Sequence, residues 1–120
     1  MKREAAPADK QPKTFKFSDE NLDLAKKIIA RYPPRRQASA VLPLLELAQR
    51  QHSRWLPRVA MDYVAEMLEM PPMRVYEVAT FYTMFNLAPV GQNFVQVCTT
   101  TPCWLRGSEE VVDVCKKKLG

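Results

Sequence analysis

The chain has 120 residues, 47% of them hydrophobic and 26% charged, with 18 lysines and arginines against 13 aspartates and glutamates for a net charge of +5. That balance excludes a low-hydrophobicity disordered sequence; the length leaves no room for two complete catalytic domains, and no apolar run approaches the ~18 residues that cross a bilayer. Three cysteines behind a start of mixed Lys, Asp, Glu and Pro argue against a secreted disulfide scaffold.

Residues 1–17, with Pro7 and Pro12 among small and charged side chains, read as a flexible leader. Ser18 is placed to cap a helix with Asp19 and Glu20 in its first turn, and Leu22, Ala25, Ile28, Ile29 and Tyr32 recur at helical spacing until Pro33-Pro34 removes two backbone donors. Val41, Leu42, Leu45 and Ala48 form a second stripe closing near Gln51. Pro43 fits there only within a first turn, so this helix is expected to start near Ser39. Pro57 suits the first position of a third helix with Ala60, Tyr63, Val64, Met67 and Leu68 on its apolar face. Met70-Pro71-Pro72 ends it, and Pro72 opens a fourth. The run Val78 to Phe85 is rich enough in aromatic and β-branched residues to pass for a strand, but the spacing of Val75, Val78, Ala79 and Tyr82 predicts a helix.

Beyond Asn86 the pattern changes. Ala88-Pro89-Val90-Gly91 is turn chemistry, and Asn93 to Cys98 alternates like a short strand. Ser108 is expected as the cap of a last helix, with Glu109 and Glu110 in its first turn, Lys116 to Lys118 in its last, and Val111, Val112, Cys115 and Leu119 as its apolar face. The expected fold class is therefore α+β: a four-helix module at 18–86, then one strand and one helix at 87–120. A lone strand has unpaired backbone groups on both edges, so either it pairs with another chain or the sequence stops before its own sheet is finished, the second unit then being a truncated domain. The basic clusters Lys26-Lys27, Arg35-Arg36 and Lys116 to Lys118 read as solvated helix ends and loops. No helix carries a dense basic face interleaved with aromatics, so a nucleic-acid partner is not expected.

Cys98-Thr-Thr-Thr-Pro-Cys103 is the stretch most suggestive of chemistry. C-x4-C is one spacing used by 2Fe-2S centres, and Thr99, Thr100 and Thr101 offer hydroxyl and amide donors that stabilise thiolate charge. The pair alone is also compatible with two buried thiols of no function, with a redox disulfide, although C-x-x-C is the usual spacing there, and with zinc if Cys115 and His52 joined it. Cys115 reads as core and His52 as surface. Three cysteines cannot supply four thiolates to a cluster from one copy of the chain.

Phe15-Lys-Phe-Ser-Asp-Glu-Asn-Leu, Tyr32-Pro-Pro, Ser39-Ala-Val-Leu-Pro-Leu-Leu, Trp55-Leu-Pro, Arg74-Val-Tyr-Glu-Val-Ala-Thr-Phe-Tyr-Thr-Met-Phe, and Pro89-Val-Gly through Val97-Cys-Thr-Thr-Thr-Pro-Cys-Trp-Leu-Arg-Gly-Ser resemble the small iron-sulfur subunit of respiratory NADH:quinone oxidoreductase (complex I). The resemblance implies a helical docking module followed by a thioredoxin-like ferredoxin domain with a 2Fe-2S cluster. Cys98 and Cys103 match the first ligand pair, and the family's second pair, C-x3-C, has no counterpart here. It also implies single-electron exchange with the FMN of a larger flavoprotein subunit that binds FMN and NADH, other peripheral-arm subunits as further partners, and no membrane insertion by this chain. The cytoplasmic face of a bacterial inner membrane is the expected location, with the mitochondrial matrix side as the alternative. A helical adaptor that docks on the flavoprotein subunit without redox work is the competing reading. Ser53-Arg54 stands where the family often has glycine.

Overall fold

Each helix of the N-terminal part starts where the local chemistry permits an unpaired amide. The computed structural model describes residues 4–119 and divides into two units, Met1–Val90 and Gly91–Gly120. In the first, α1 spans Asp19–Ile29; Ser18 is extended and its Oγ accepts the Asn21 N–H at 3.4 Å. A 3-10 turn, Gln37–Ala40, leads into α2, Val41–Gln51. Pro43 thus lies in the first turn, where its missing donor breaks no bond. Helix α3 spans Arg58–Met67, with Pro57 as its extended cap, one position before the role expected of it. Helix α4, Pro72–Phe81, begins on Pro72 and keeps Val78 to Phe81 helical.

Helix α2 packs against α1, α3 and α4, and α3 against α4. Ala25, Ala40, Ala48, Ala60, Ala65 and Ala79 are fully inaccessible, so the packed elements can approach closely where these small side chains lie. Leu44, Leu45, Leu56, Val64, Val75 and Phe85 fill the space between them. Each such side chain contributes about 1.5–3 kcal/mol of apolar transfer energy. Residues expected as a leader contribute to this unit: Phe17 is buried in the core, and Ala6 is buried with its N–H donating to the Leu87 carbonyl at 2.9 Å. Phe15, Phe17 and Tyr63 meet edge to face. His52, expected at the surface, is instead half-buried, edge-on to Phe15 and Trp55. Burial pushes its pKa below the ordinary 6.5.

The second unit corrects the α+β expectation. No strand forms among the described residues: 94–99 has no regular structure, and only Val97 of the alternating set is even half-buried. Alternation gives a segment a preference for extended backbone, whereas a strand exists only when a partner takes up its hydrogen bonds. A short helix that the periodicity did not reveal, α5, spans Thr101–Leu105. The last helix, α6, spans Ser108–Leu119. Gly107 joins them at φ 90°, a conformation that glycine adopts without Cβ strain. Ser108 is the first residue of α6 rather than its cap; it is buried and its Oγ has no hydrogen-bond partner among the described residues. On the apolar face of α6, Val112 and Cys115 are half-buried while Val111 and Leu119 are exposed. Among the described residues no helix is long and apolar enough to cross a membrane.

Candidate metal centre

Cys98 and Cys103 are brought together by the way α5 begins. Thr100 is its extended cap, and Pro102 sits in the first turn, where a missing amide is harmless. The Trp104 N–H donates back to the Thr100 carbonyl at 2.9 Å, closing a turn that carries Cys103. Cys98, two residues before the cap, lies with its Sγ 3.0 Å from Thr100 Oγ1. Beyond the pair, α5 is tied to α6 by Trp104 Nε1 donating to Glu109 Oε1 at 3.1 Å.

The two thiols are chemically unequal. The Thr100 hydroxyl, then the Thr100 backbone N–H, then the Cys103 thiol donate to Cys98 and hold its pKa below the ordinary 9.0. Cys103 is pushed upward, first because its proton is engaged by Cys98 and then because ionising it would set two negative sulfurs side by side. All three cysteines are free; Cys98 is exposed, and Cys103 and Cys115 are half-buried. The three threonines expected as donors are all exposed, and Thr100 is the one whose hydroxyl contacts sulfur among the described residues.

Two adjacent thiols, one predisposed to carry charge, form the donor chemistry that iron in a 2Fe-2S cluster takes. Among the described residues no group of three or more His, Cys, Asp or Glu side chains is arranged to hold a metal.

The family model of the thioredoxin-like 2Fe-2S ferredoxins matches residues 25–120. The chain belongs to that family. The match runs from within α1 through the other helices of the first unit and the cysteine pair. The chain is 66% identical over 106 residues to the E subunit of the NADH-quinone oxidoreductase of Rickettsia bellii, covering 88% of this chain and 64% of the relative. It is 63% identical to the Rickettsia typhi protein of the same name, covering 88% and 62%. It is 56% identical to NADH dehydrogenase (ubiquinone) flavoprotein 2, mitochondrial, of Dictyostelium discoideum, covering 88% and 43%. The chain therefore spans less than two-thirds of the length of these relatives.

Sequence reasoning singled out Cys98, Cys103 and the threonines between them but missed α5, although Thr100-Thr101-Pro102, threonines just before a proline, is a helix-start signal. The unequal acidity of the two sulfurs depends on which atom donates to which and leaves no mark in the sequence.

Proposed function

We propose that this chain is part of the electron-transfer iron-sulfur subunit of an NADH:quinone oxidoreductase, and that Cys98 and Cys103 are two of the four thiolate ligands of its 2Fe-2S cluster. The observation that carries this reading is the Cys98–Thr100–Cys103 hydrogen-bonded set, found in a chain of the 2Fe-2S thioredoxin-like family. When bound, the cluster supplies one-electron transfer, and the electron partner in this reading is the FMN of a flavoprotein subunit that also binds NADH. Thr100 holds negative charge on Cys98 through its hydroxyl and its amide. The turn from Thr100 to Arg106 fixes Cys103 beside it. Residues 18–86 form the docking module, and 87–120 form part of the thioredoxin-like domain. The complex's peripheral arm, on the cytoplasmic face of a bacterial inner membrane or the matrix side of a mitochondrial one, is the setting this assigns.

The test combines this chain with the portion of the Rickettsia bellii relative outside the matched region, reconstituted with iron and sulfide. Visible absorbance and electron paramagnetic resonance after reduction are expected to report a 2Fe-2S centre that Cys98→Ser or Cys103→Ser abolishes. The chain alone is expected to give no stable centre at one cluster per chain, and such a centre would overturn the half-set assignment. A signal indifferent to both serine variants would remove the two cysteines as ligands and leave the helical-adaptor reading.

A further inference from the structure

The helical unit contains a cavity of about 480 Å³ with no part in the cysteine chemistry. It falls within the ~300–1,000 Å³ typical of small-molecule sites. Its lining combines the N-terminal segment at Ala5, Ala6 and Ala8 and the half-buried Val59 with the edges of the core side chains Leu56, Met61 and Leu87. Gln11 clasps that segment in place: its Nε2 donates to the Ala6 carbonyl at 3.0 Å, and its Oε1 accepts the Arg58 N–H at 2.9 Å.

Two opposite charges line the same cavity without pairing directly. Arg58 and Asp62 stand four residues apart on α3 and so share a face. Tyr76 of α4 stands between them: its hydroxyl donates to Asp62 Oδ1 and accepts from Arg58 Nε at 3.4 Å. The guanidinium carbon lies 5.4 Å from the centre of the Tyr76 ring. Among the described residues the Arg58 Nη groups and Asp62 Oδ2 make no hydrogen bond, so no described side chain takes up the fork of the guanidinium or that carboxylate oxygen. Burial, and then the bond to Asp62, push the Tyr76 hydroxyl above its ordinary pKa, which keeps the bridging proton in place at neutral pH.

A simple anion would meet Asp62, and a simple cation would meet Arg58. A molecule carrying both charges on one carbon satisfies both groups. We propose that this cavity binds a free α-amino acid with an apolar side chain, its carboxylate on the Arg58 Nη fork, its ammonium on Asp62 Oδ2, and its side chain against the apolar lining at Val59, Ala5 and Ala8. Fork-shaped guanidinium recognition of a carboxylate supplies orientation. The apolar wall supplies the preference for an aliphatic side chain over none.

Calorimetric and NMR titration of the whole chain with L-leucine tests this, beside three fragments of the same molecule. Isocaproate lacks the ammonium, isoamylamine lacks the carboxylate, and glycine lacks the side chain. Leucine is expected to bind tightest, with each fragment weaker by about tenfold or more, the usual loss on removing one charge-assisted hydrogen bond or a buried aliphatic group. Arg58→Gln and Asp62→Asn are each expected to weaken leucine by about tenfold, with far-UV circular dichroism checking the fold. Asp62→Asn should leave isocaproate binding undiminished, because the repelling carboxylate is gone. Absence of leucine binding, fragments that bind as well as leucine, or folded variants that bind it unchanged would each overturn the proposal. The fragment series on the unaltered chain decides the matter even where a variant fails to fold.

Discussion

Gln49 joins α2 to the segment after α4 through both ends of one amide: Oε1 accepts the Asn86 N–H at 2.7 Å, and Nε2 donates to the Met84 carbonyl at 3.0 Å. Asn86 in turn donates from Nδ2 to the Arg54 carbonyl at 3.0 Å, and the Asn86 carbonyl accepts the Leu56 N–H at 2.7 Å. The loop after α2 and the chain leaving α4 are thus laced together by groups that would otherwise need water. Phe85, between the two Gln49 contacts, is 1% exposed, so this lacing also seats a core side chain. Gln49→Ala leaves the Asn86 amide and Met84 carbonyl without their partner, and is expected to cost about 0.5–1.5 kcal/mol. Urea denaturation followed by circular dichroism reads the loss directly. A midpoint equal to that of the unaltered chain would show that water replaces the amide at no cost.

The turn that Gln49 helps to hold contains two left-handed residues, Ser53 at φ 49° and Arg54 at φ 68°. Side chains with a Cβ lose roughly 1–2 kcal/mol in that conformation, and glycine loses about 0.5–1 kcal/mol of backbone entropy instead. Ser53→Gly is therefore expected to stabilise the unit by about 0.5–1 kcal/mol, with the thermal midpoint rising. A falling midpoint would mean that the serine side chain contributes more than its strain removes.

The helices of the first unit were legible in the sequence because their boundaries are set by local chemistry. Ser18 caps because its oxygen reaches an amide three residues on, and Pro43 and Pro72 mark first turns because proline is tolerated only there. Asn93 to Cys98 misled for the opposite reason: alternation is local, but a strand requires a partner from elsewhere in the fold. His52 was misread because its burial comes from Phe15, dozens of residues upstream, as well as from nearby Trp55. The same limit hid Tyr76 between Arg58 and Asp62. The i, i+4 pair on α3 was visible in principle, but the hydroxyl that bridges it arrives on another helix.

His52 is the single histidine of the chain, so its titration can be followed without assignment ambiguity. Burial lowers its folded-state pKa below the unfolded value of about 6.5. The unfolded chain therefore binds the proton more readily. Its contribution is fully present above about pH 6.5 and is lost as pH falls from there through the folded pKa. The NMR inflection of the imidazole protons is expected below 6.5. Phe15→Ala should move it back toward that value by opening one side of the ring, and His52→Gln should flatten this part of the stability-pH curve. An inflection at or above 6.5 in the folded chain would contradict burial as the governing cause.

Cys98 and Cys103 should differ in the metal-free chain by the pH at which each becomes reactive, because only thiolate is alkylated by iodoacetamide. With the Thr100 hydroxyl at 3.0 Å and two further donors, Cys98 is expected to show its rate inflection below 9.0 and Cys103 above it. Thr100→Val removes the largest of these contributions but keeps the backbone amide, so the Cys98 inflection should move up, whereas Thr100→Ser should hold it. Cys98→Ser relieves Cys103 of a neighbouring negative charge, and the Cys103 inflection should then fall toward that of an ordinary thiol. Peptide mapping by mass spectrometry after timed quenching separates the two sites. An inflection for Cys98 that Thr100→Val leaves in place would show that the hydroxyl accepts from the thiol in solution instead of donating to the thiolate. The charge on Cys98 would then rest on the Thr100 amide and the Cys103 thiol alone.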